Sequence, residues 1–131
     1  MGLQILTSTV LVTGGAGFVG SHACKALAQA GYLPITYDNL SNGHSQSVKW
    51  GPLEQGDLED GARLQEVFAR HRPVAILHFA ASIEAGESVK HPSKFYQNNV
   101  LGTLSLLKEM LDAQIDTLVF SSTAAVYGKP S

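Results

Sequence analysis

The residues of this chain whose types and spacing suggest chemistry are a cluster of glycines between positions 14 and 20 and an aspartate at 38. Gly15, Gly17 and Gly20 fit G-x-G-x-x-G, while Gly14, Gly17 and Gly20 fit the looser G-x-x-G-x-x-G. They lie within Val10-Leu-Val-Thr-Gly-Gly-Ala-Gly-Phe-Val-Gly-Ser-His22, which reads as a buried strand, a tight turn and the start of a helix. In such a turn the first glycine permits the bend and the second lets backbone N–H groups approach a pyrophosphate. The third lets the helix pack close to the strand. The free N–H groups and positive dipole end of a helix starting near Phe18 would then face phosphates, which brings in Phe18 and Val19. Asp38 lies 21 residues beyond Gly17 and closes a second apolar run, Tyr32 to Tyr37. That is close to the separation of about 20 expected for a carboxylate that accepts a hydrogen bond from an adenosine ribose 2′-OH. A carboxylate there would repel a 2′-phosphate, so the residues point to NAD rather than NADP. A chance glycine turn is the competing explanation; strand, helix and acid in register argue against it.

Positioning these groups requires alternating strands and helices, and the pattern supplies them, except that no good helix follows the second strand until Asp60. Val10–Thr13 reads as a first strand and Phe18 to about Ala30 as a first helix, with Val19, Ala23, Leu27 and Ala30 on one face. Gly31 stops that helix. Leu33–Tyr37 is a second strand, and Asp38-Asn-Leu-Ser-Asn-Gly43 a polar turn-rich loop. Leu53–Gly56 suggests a short third strand, and Asp60 to Arg70 a helix with Leu64, Val67 and Phe68 inward. Val74–Phe79 is a fourth strand, apolar except for His78, as expected where both faces are covered. Pro92 opens a long helix to about Ala113, in which Phe95, Val100, Leu104, Leu107 and Leu111 keep helical spacing. Thr117–Ser122 is a fifth strand. The expected fold is therefore α/β: a Rossmann-like, doubly wound parallel sheet with right-handed crossovers, truncated after about five strands. Ligands on such sheets gather at the carboxyl ends of the strands. The glycine turn, Asp38–Gly43, Asp57-Leu58, Phe79–Ile83 and Ser121–Thr123 should accordingly share one edge.

Composition sets the outer bounds. The chain has 131 residues, 44% hydrophobic and 15% charged, the balance of one folded domain with a core, here residues 1–131 without linker or repeat. A formal net charge of −2 and no run of Lys or Arg give no electrostatic case for nucleic acid or an anionic membrane. Apolar stretches are strand-sized, so no membrane-spanning helix is expected, and Met1 to Thr9 lacks the basic start of a signal peptide. The lone Cys24 allows no disulfide within the chain and fits a reducing cytoplasm; on an Ala-rich helix it reads as a packed small residue. Histidines 22, 44, 71, 78 and 91 show no metal-ligand spacing, so no metal is expected.

The motifs together resemble the extended short-chain dehydrogenase/reductase family, and within it the nucleotide-sugar 4-epimerase group. The matching segments are Thr13-Gly-Gly-Ala-Gly-Phe-Val-Gly-Ser-His22, Tyr37-Asp-Asn-Leu-Ser-Asn-Gly43, Gly56-Asp-Leu58, His78-Phe-Ala-Ala81, Gly86-Glu-Ser-Val89, Asn98-Asn-Val100 with Gly102-Thr103, and Phe120-Ser-Ser-Thr-Ala-Ala-Val-Tyr-Gly128. The resemblance implies that Gly14, Gly17, Phe18, Val19 and Gly20 surround the pyrophosphate of NAD and that Asp38 holds the adenosine ribose. Asn39, Leu40, Ser41, Asn42 and Gly43 would wrap that end of the cofactor. Asp57 would accept from the adenine amino group and Leu58 would cover the ring. Phe79, Ala80, Ala81 and Ser82 would line the pyrophosphate and nicotinamide side, with Asn98 reaching back from the long helix. Thr123 takes the place of a family serine whose hydroxyl contacts the reacting sugar hydroxyl, and Ile83 stands where some members carry a lysine. The substrate implied is a UDP-hexose, oxidised at C4 and reduced again on the opposite face. The long helix resembles one that contributes to the family's dimer interface, so a homodimer or other self-association is expected.

Plainer roles compete at several positions. Asp57 also suits the N-cap of the following helix, and Asn98 and Asn99 a solvated polar patch. His78 fits a hydrogen-bonded core histidine better than a proton-transfer group, and Ser121, Ser122 and Thr123 could bond locally to backbone. Removing hydride from a sugar C–OH needs a base, and tyrosine, titrating near 10, needs a neighbouring cation to serve. The family uses Tyr-x-x-x-Lys. Here tyrosines 32, 37, 96 and 127 are followed four residues later by Thr36, Ser41, Val100 and Ser131. The pair is expected beyond Ser131, in a longer parent that also carries the sugar-nucleotide domain, and the 131 residues alone are expected to be inactive. A 4,6-dehydratase or decarboxylase of the same superfamily, or a non-catalytic NAD-binding module, are the alternatives; Ala124 and Ala125 argue against the acid–base pair of a dehydratase.

Overall fold

The computed structural model describes residues 8–16, 18–40, 45–79 and 92–121, with the backbone alone at 18, 47, 92–100 and 121. The described residues hold five strands and three α-helices: β1 Thr9–Thr13, α1 Phe18–Gln29, β2 Leu33–Asp38, β3 Leu53–Gln55, α2 Gly61–His71, β4 Ala75–Phe79, α3 Pro92–Asp112 and β5 Leu118–Ser121. A 3₁₀ turn, Ser45–Ser47, sits between β2 and β3. The strands form one sheet in the order β3-β2-β1-β4-β5, all parallel. This is the Rossmann-like arrangement expected, with its topological switch point between β1 and β4, where such sheets open a crevice at the strands' carboxyl ends.

Alternation along the strands explains the uninterrupted apolar runs. Leu11, Ile35, Tyr37 and Ile76 point to one face, where Leu64, Val67 and Phe68 of α2 and Leu106 and Met110 of α3 cover them. Val10 and Val12 point to the other, against Cys24 and Leu27 of α1, with Leu77 and Phe79. The interior residues of β1 and β2 are thus covered on whichever side they face, the condition under which parallel strands lose their polar alternation, while Val119 and Phe120 of edge strand β5 are exposed. Helix α2 is closed at both ends. The Arg63 N–H donates to the Asp60 carboxylate at 3.1 Å, a cap contributing about 1 kcal/mol, and Arg72 adopts a left-handed C-cap with φ 47°.

Two faces differ from the sequence pattern. On α1 the inward positions are Gly20 and Cys24, while Val19 is 40% exposed. On α3, Leu104, Leu107 and Leu111 are exposed, and the buried face is Gly102, Leu106, Glu109 and Met110. Helical spacing finds a stripe but not the side of the helix that meets the sheet. Here a glycine and a carboxylate occupy the buried side, and hydropathy discounts both.

Candidate functional site

The glycine turn runs across the ends of three strands. Gly14 has φ 76°, a conformation costly for any side chain with a Cβ, and its N–H donates to the Tyr37 carbonyl at the end of β2, 2.9 Å away. A Cβ on Gly14 would lie 3.3 Å from the Phe79 carbonyl at the end of β4. The turn therefore spans the switch point. Gly20, in the first turn of α1, lies so close to the Gly14 backbone that a Cβ there would fall inside contact with the Gly14 carbonyl oxygen and 2.8 Å from the Gly15 Cα. Helix α1 consequently starts directly on the turn, and the N–H groups of Phe18 and Val19 belong to the first turn, where no intrahelical acceptor exists.

Asp38, the last residue of β2, reaches this turn. Its Oδ2 accepts the Ala16 N–H at 3.0 Å and its Oδ1 the Leu40 N–H at 2.8 Å. Leu40 makes that bond from a left-handed backbone conformation, φ 65°, which costs a residue with a side chain about 1 kcal/mol. The next strand is tied in by a Gly56 N–H to the Asp38 carbonyl, 3.1 Å. The Asn39 amide donates to Asp57 Oδ1 at 2.7 Å, so two carboxylates and an amide line the ends of β2 and β3. Asp57 does not cap α2; that cap is Asp60, because Asp57 lies four residues before the helix and its carboxylate is turned to Asn39. Leu58 is half-buried against the core beside Gly102 of α3. Phe79 brings its backbone to the turn and its ring to the α1-side core. Gly17, Ser41, Asn42, Gly43, Ala80, Ala81, Ser82 and Thr123 lie outside the described residues, and Asn98 is placed by its backbone in the first half of α3.

His78 is a core residue. It is 1% exposed, its Nδ1 lies 2.6 Å from the Thr13 hydroxyl and its Nε2 3.1 Å from that of Thr103, and its ring meets Phe120 at 5.3 Å between centroids. Burial lowers its pKa to about 4, which keeps the ring neutral near pH 7. Cys24 is buried beside the Thr36 hydroxyl, 3.6 Å away, and burial pushes its thiol up, the opposite of an activated nucleophile. Among the described residues no group of three or more His, Cys, Asp or Glu side chains could hold a metal ion, and no helix is long and apolar enough to cross a membrane.

The profile of the NAD dependent epimerase/dehydratase family matches residues 10–131. The chain belongs to that family. Among curated relatives, the UDP-glucose 4-epimerase of Rhizobium meliloti (strain 1021) is 63% identical over 123 residues, covering 94% of this chain and 38% of the relative. The crystal structure of UDP-glucose 4-epimerase from Brucella ovis in complex with NAD superimposes with a TM-score of 0.85 at 52% identity, over 95% of this chain and 38% of that one. The enzyme from Bifidobacterium longum in complex with NAD+ and UDP gives a TM-score of 0.80 at 38% identity, over 95% and 39%. The chain thus spans less than two-fifths of the length of these family members.

Three contributors to this rim are not singled out by the sequence pattern. Ala16 acts through its main chain. Tyr37, the end of the second apolar run, spends its hydroxyl on the Asp57 carbonyl, 2.7 Å. Arg63, on α2, donates from Nε to the Gln55 carbonyl at 3.0 Å and from Nη2 to Glu54 at 2.7 Å. A buried phenol needs a polar partner, and that requirement alone was available to find Tyr37.

Proposed function

We propose that this chain is the coenzyme-binding part of a UDP-glucose 4-epimerase and that it holds NAD along the carboxyl edge of its sheet. The observation that carries the reading is the docking of the Asp38 carboxylate on the Ala16 N–H, which brings acid and glycine turn onto one rim. The residues present fit the coenzyme. A turn whose glycines leave no room for Cβ atoms lets phosphates approach the main chain, the first turn of α1 supplies two N–H groups without intrahelical acceptors, and Asp38 is oriented by two hydrogen bonds with lone pairs to spare for ribose hydroxyls. When bound, nicotinamide accepts hydride from sugar C4 and returns it to the other face, so the coenzyme is regenerated in each turnover.

In this reading the turn glycines Gly14, Gly17 and Gly20 and the amides of Phe18 and Val19 surround the pyrophosphate, and Asp38 holds the ribose. Asn39, Leu40, Ser41, Asn42 and Gly43 enclose the adenosine end, where Asp57 accepts from the adenine amino group and Leu58 flanks the ring. Phe79, Ala80, Ala81, Ser82 and Asn98 border the pyrophosphate and nicotinamide, and Thr123 offers its hydroxyl to the UDP-hexose. Within these 131 residues no tyrosine is followed four positions later by lysine, so the base for the C4 hydroxyl must come from outside them. Tyr37 cannot serve: burial, reinforced by the charges of Asp60 and Asp57 against that of Arg63, holds its phenol protonated above the usual range.

Calorimetric titration tests the proposal. The chain should bind NAD and discriminate against NADP, and Asp38→Asn should weaken NAD by roughly 10- to 100-fold, the equivalent of losing charge-assisted hydrogen bonds of about 1.5–3 kcal/mol. No heat with NAD on folded chain would end the reading. The same reading makes α3 a contact between copies, supported by the exposure of Leu101, Leu104, Leu107 and Leu111 along one side. Sedimentation should show a dimer, and Leu104→Glu a monomer; a wild-type monomer across the concentration range would refute it.

A further inference from the structure

We infer that Tyr37 is a positioning residue for the adenine end of the site, its hydroxyl fixing the main chain that presents Asp57. The inference rests on the reading of Asp57 as the adenine contact. Tyr37 is 1% exposed in the core beneath α2, yet a phenylalanine would fill that volume equally well. What the hydroxyl adds is one bond, to the Asp57 carbonyl at 2.7 Å, joining β2 to the segment after β3. Gly56, next to Asp57, lies flat beneath this bond: a Cβ there would come within 2.6 Å of the Tyr37 hydroxyl and 2.8 Å of Arg63 Cγ. Arg63 holds the preceding carbonyl, Gln55, from the other side at 3.0 Å, and Gly56 donates to the Asp38 carbonyl at 3.1 Å. The carboxylate of Asp57 is meanwhile aimed by the Asn39 amide at 2.7 Å. Main chain and side chain of Asp57 are thus gripped separately, and Tyr37 supplies the main-chain grip from a residue that points away from the coenzyme edge into the core.

A merely structural tyrosine and a positioning tyrosine differ in what they do to base selectivity. The chain, Tyr37→Phe and Gly56→Ala are titrated with NAD and with the NAD analogue that carries unsubstituted purine in place of adenine and so lacks the 6-amino group. Wild-type chain should prefer NAD. Each variant should weaken NAD about fivefold, as expected for one misplaced hydrogen bond, while the purine analogue changes by less than about twofold. Equal weakening of both ligands, or no weakening of either, overturns the proposal; should Tyr37→Phe fail to fold, Gly56→Ala decides by the same criterion. Wild-type chain that binds both ligands equally removes the role of Asp57, and with it this inference, while leaving the coenzyme reading intact. Wild-type chain that binds neither removes both.

Discussion

Replacing Gly20 with alanine should abolish NAD binding and cost more than about 3 kcal/mol of stability, as urea denaturation and calorimetry would measure. The added methyl would meet the carbonyl oxygen of Gly14, its carbon at 2.8 Å and the Cα of Gly15 at 2.8 Å. All three are main-chain atoms, held by the Gly14 bond to Tyr37 and by β1 itself, so no rotamer change relieves the overlap. Either α1 lifts away from the turn or the turn leaves the end of β2. In both cases the bond between Ala16 and Asp38 breaks, and acid and amides no longer share a rim. A Gly20→Ala chain with an unchanged denaturation midpoint would mean that α1 does not start on the turn.

The second large effect is acid destabilisation in two stages. Glu54, 8% exposed on edge strand β3, accepts hydrogen bonds from Arg63 (2.7 Å), Arg70 (2.7 and 2.9 Å) and His71 (2.6 Å), and Glu66 shares the two arginines. Burial by itself would raise this carboxyl, but the bonds from His71, Arg70 and Arg63 outweigh it and hold the pKa at about 2, against 4.5 ordinarily. A depressed folded-state pKa means that the unfolded chain takes up the proton first. Stability contributed by Glu54 is therefore complete above pH 4.5 and lost as pH falls toward 2, about 3 kcal/mol in all. His78 behaves in the same sense at higher pH. Its folded-state pKa of about 4 lies below the ordinary 6.5, so its share, again about 3 kcal/mol, disappears between pH 6.5 and 4. Denaturation at pH 7.5, 5 and 3.5 should show a decline that starts near pH 6.5; His78→Asn should flatten the upper stage and Glu54→Gln the lower. Stability constant from pH 7 to 5 would exclude the first stage.

What was legible in the sequence follows from which constraints are local. The strands, the turn and α1 were readable because a glycine cluster, a buried β-branched run and a following aspartate each act within a few residues of themselves. Asp38 was readable at long range only because the β-α-β unit has a nearly fixed length. The orientation of α3 was not, since Leu104, Leu107 and Leu111 repeat at helical spacing whichever side they face, and the inward side is marked by Gly102 accommodating Leu58 and by Glu109 bonded to Gln65. The spacing offers Asp57 as a cap of α2 and places Asp60 inside the helix; the structure gives the cap to Asp60 and turns the Asp57 carboxylate to Asn39. The bond from Tyr37 to Asp57 joins positions 20 apart through a side chain that hydropathy counts as apolar, so no pattern along the chain announces it.

The sheet is unequally insulated. Among the described residues ten buried apolar side chains cluster beneath α2 and α3, but only Val10, Val12 and Cys24 beneath α1. Local opening is cheapest where few apolar contacts must be broken, so the α1 layer should breathe more readily than the rest. The amides proposed to grip the coenzyme belong to that thinner layer. A ligand that favours the closed form would then act as its missing ballast, tightening half the molecule through mass action while the opposite half stays as it was.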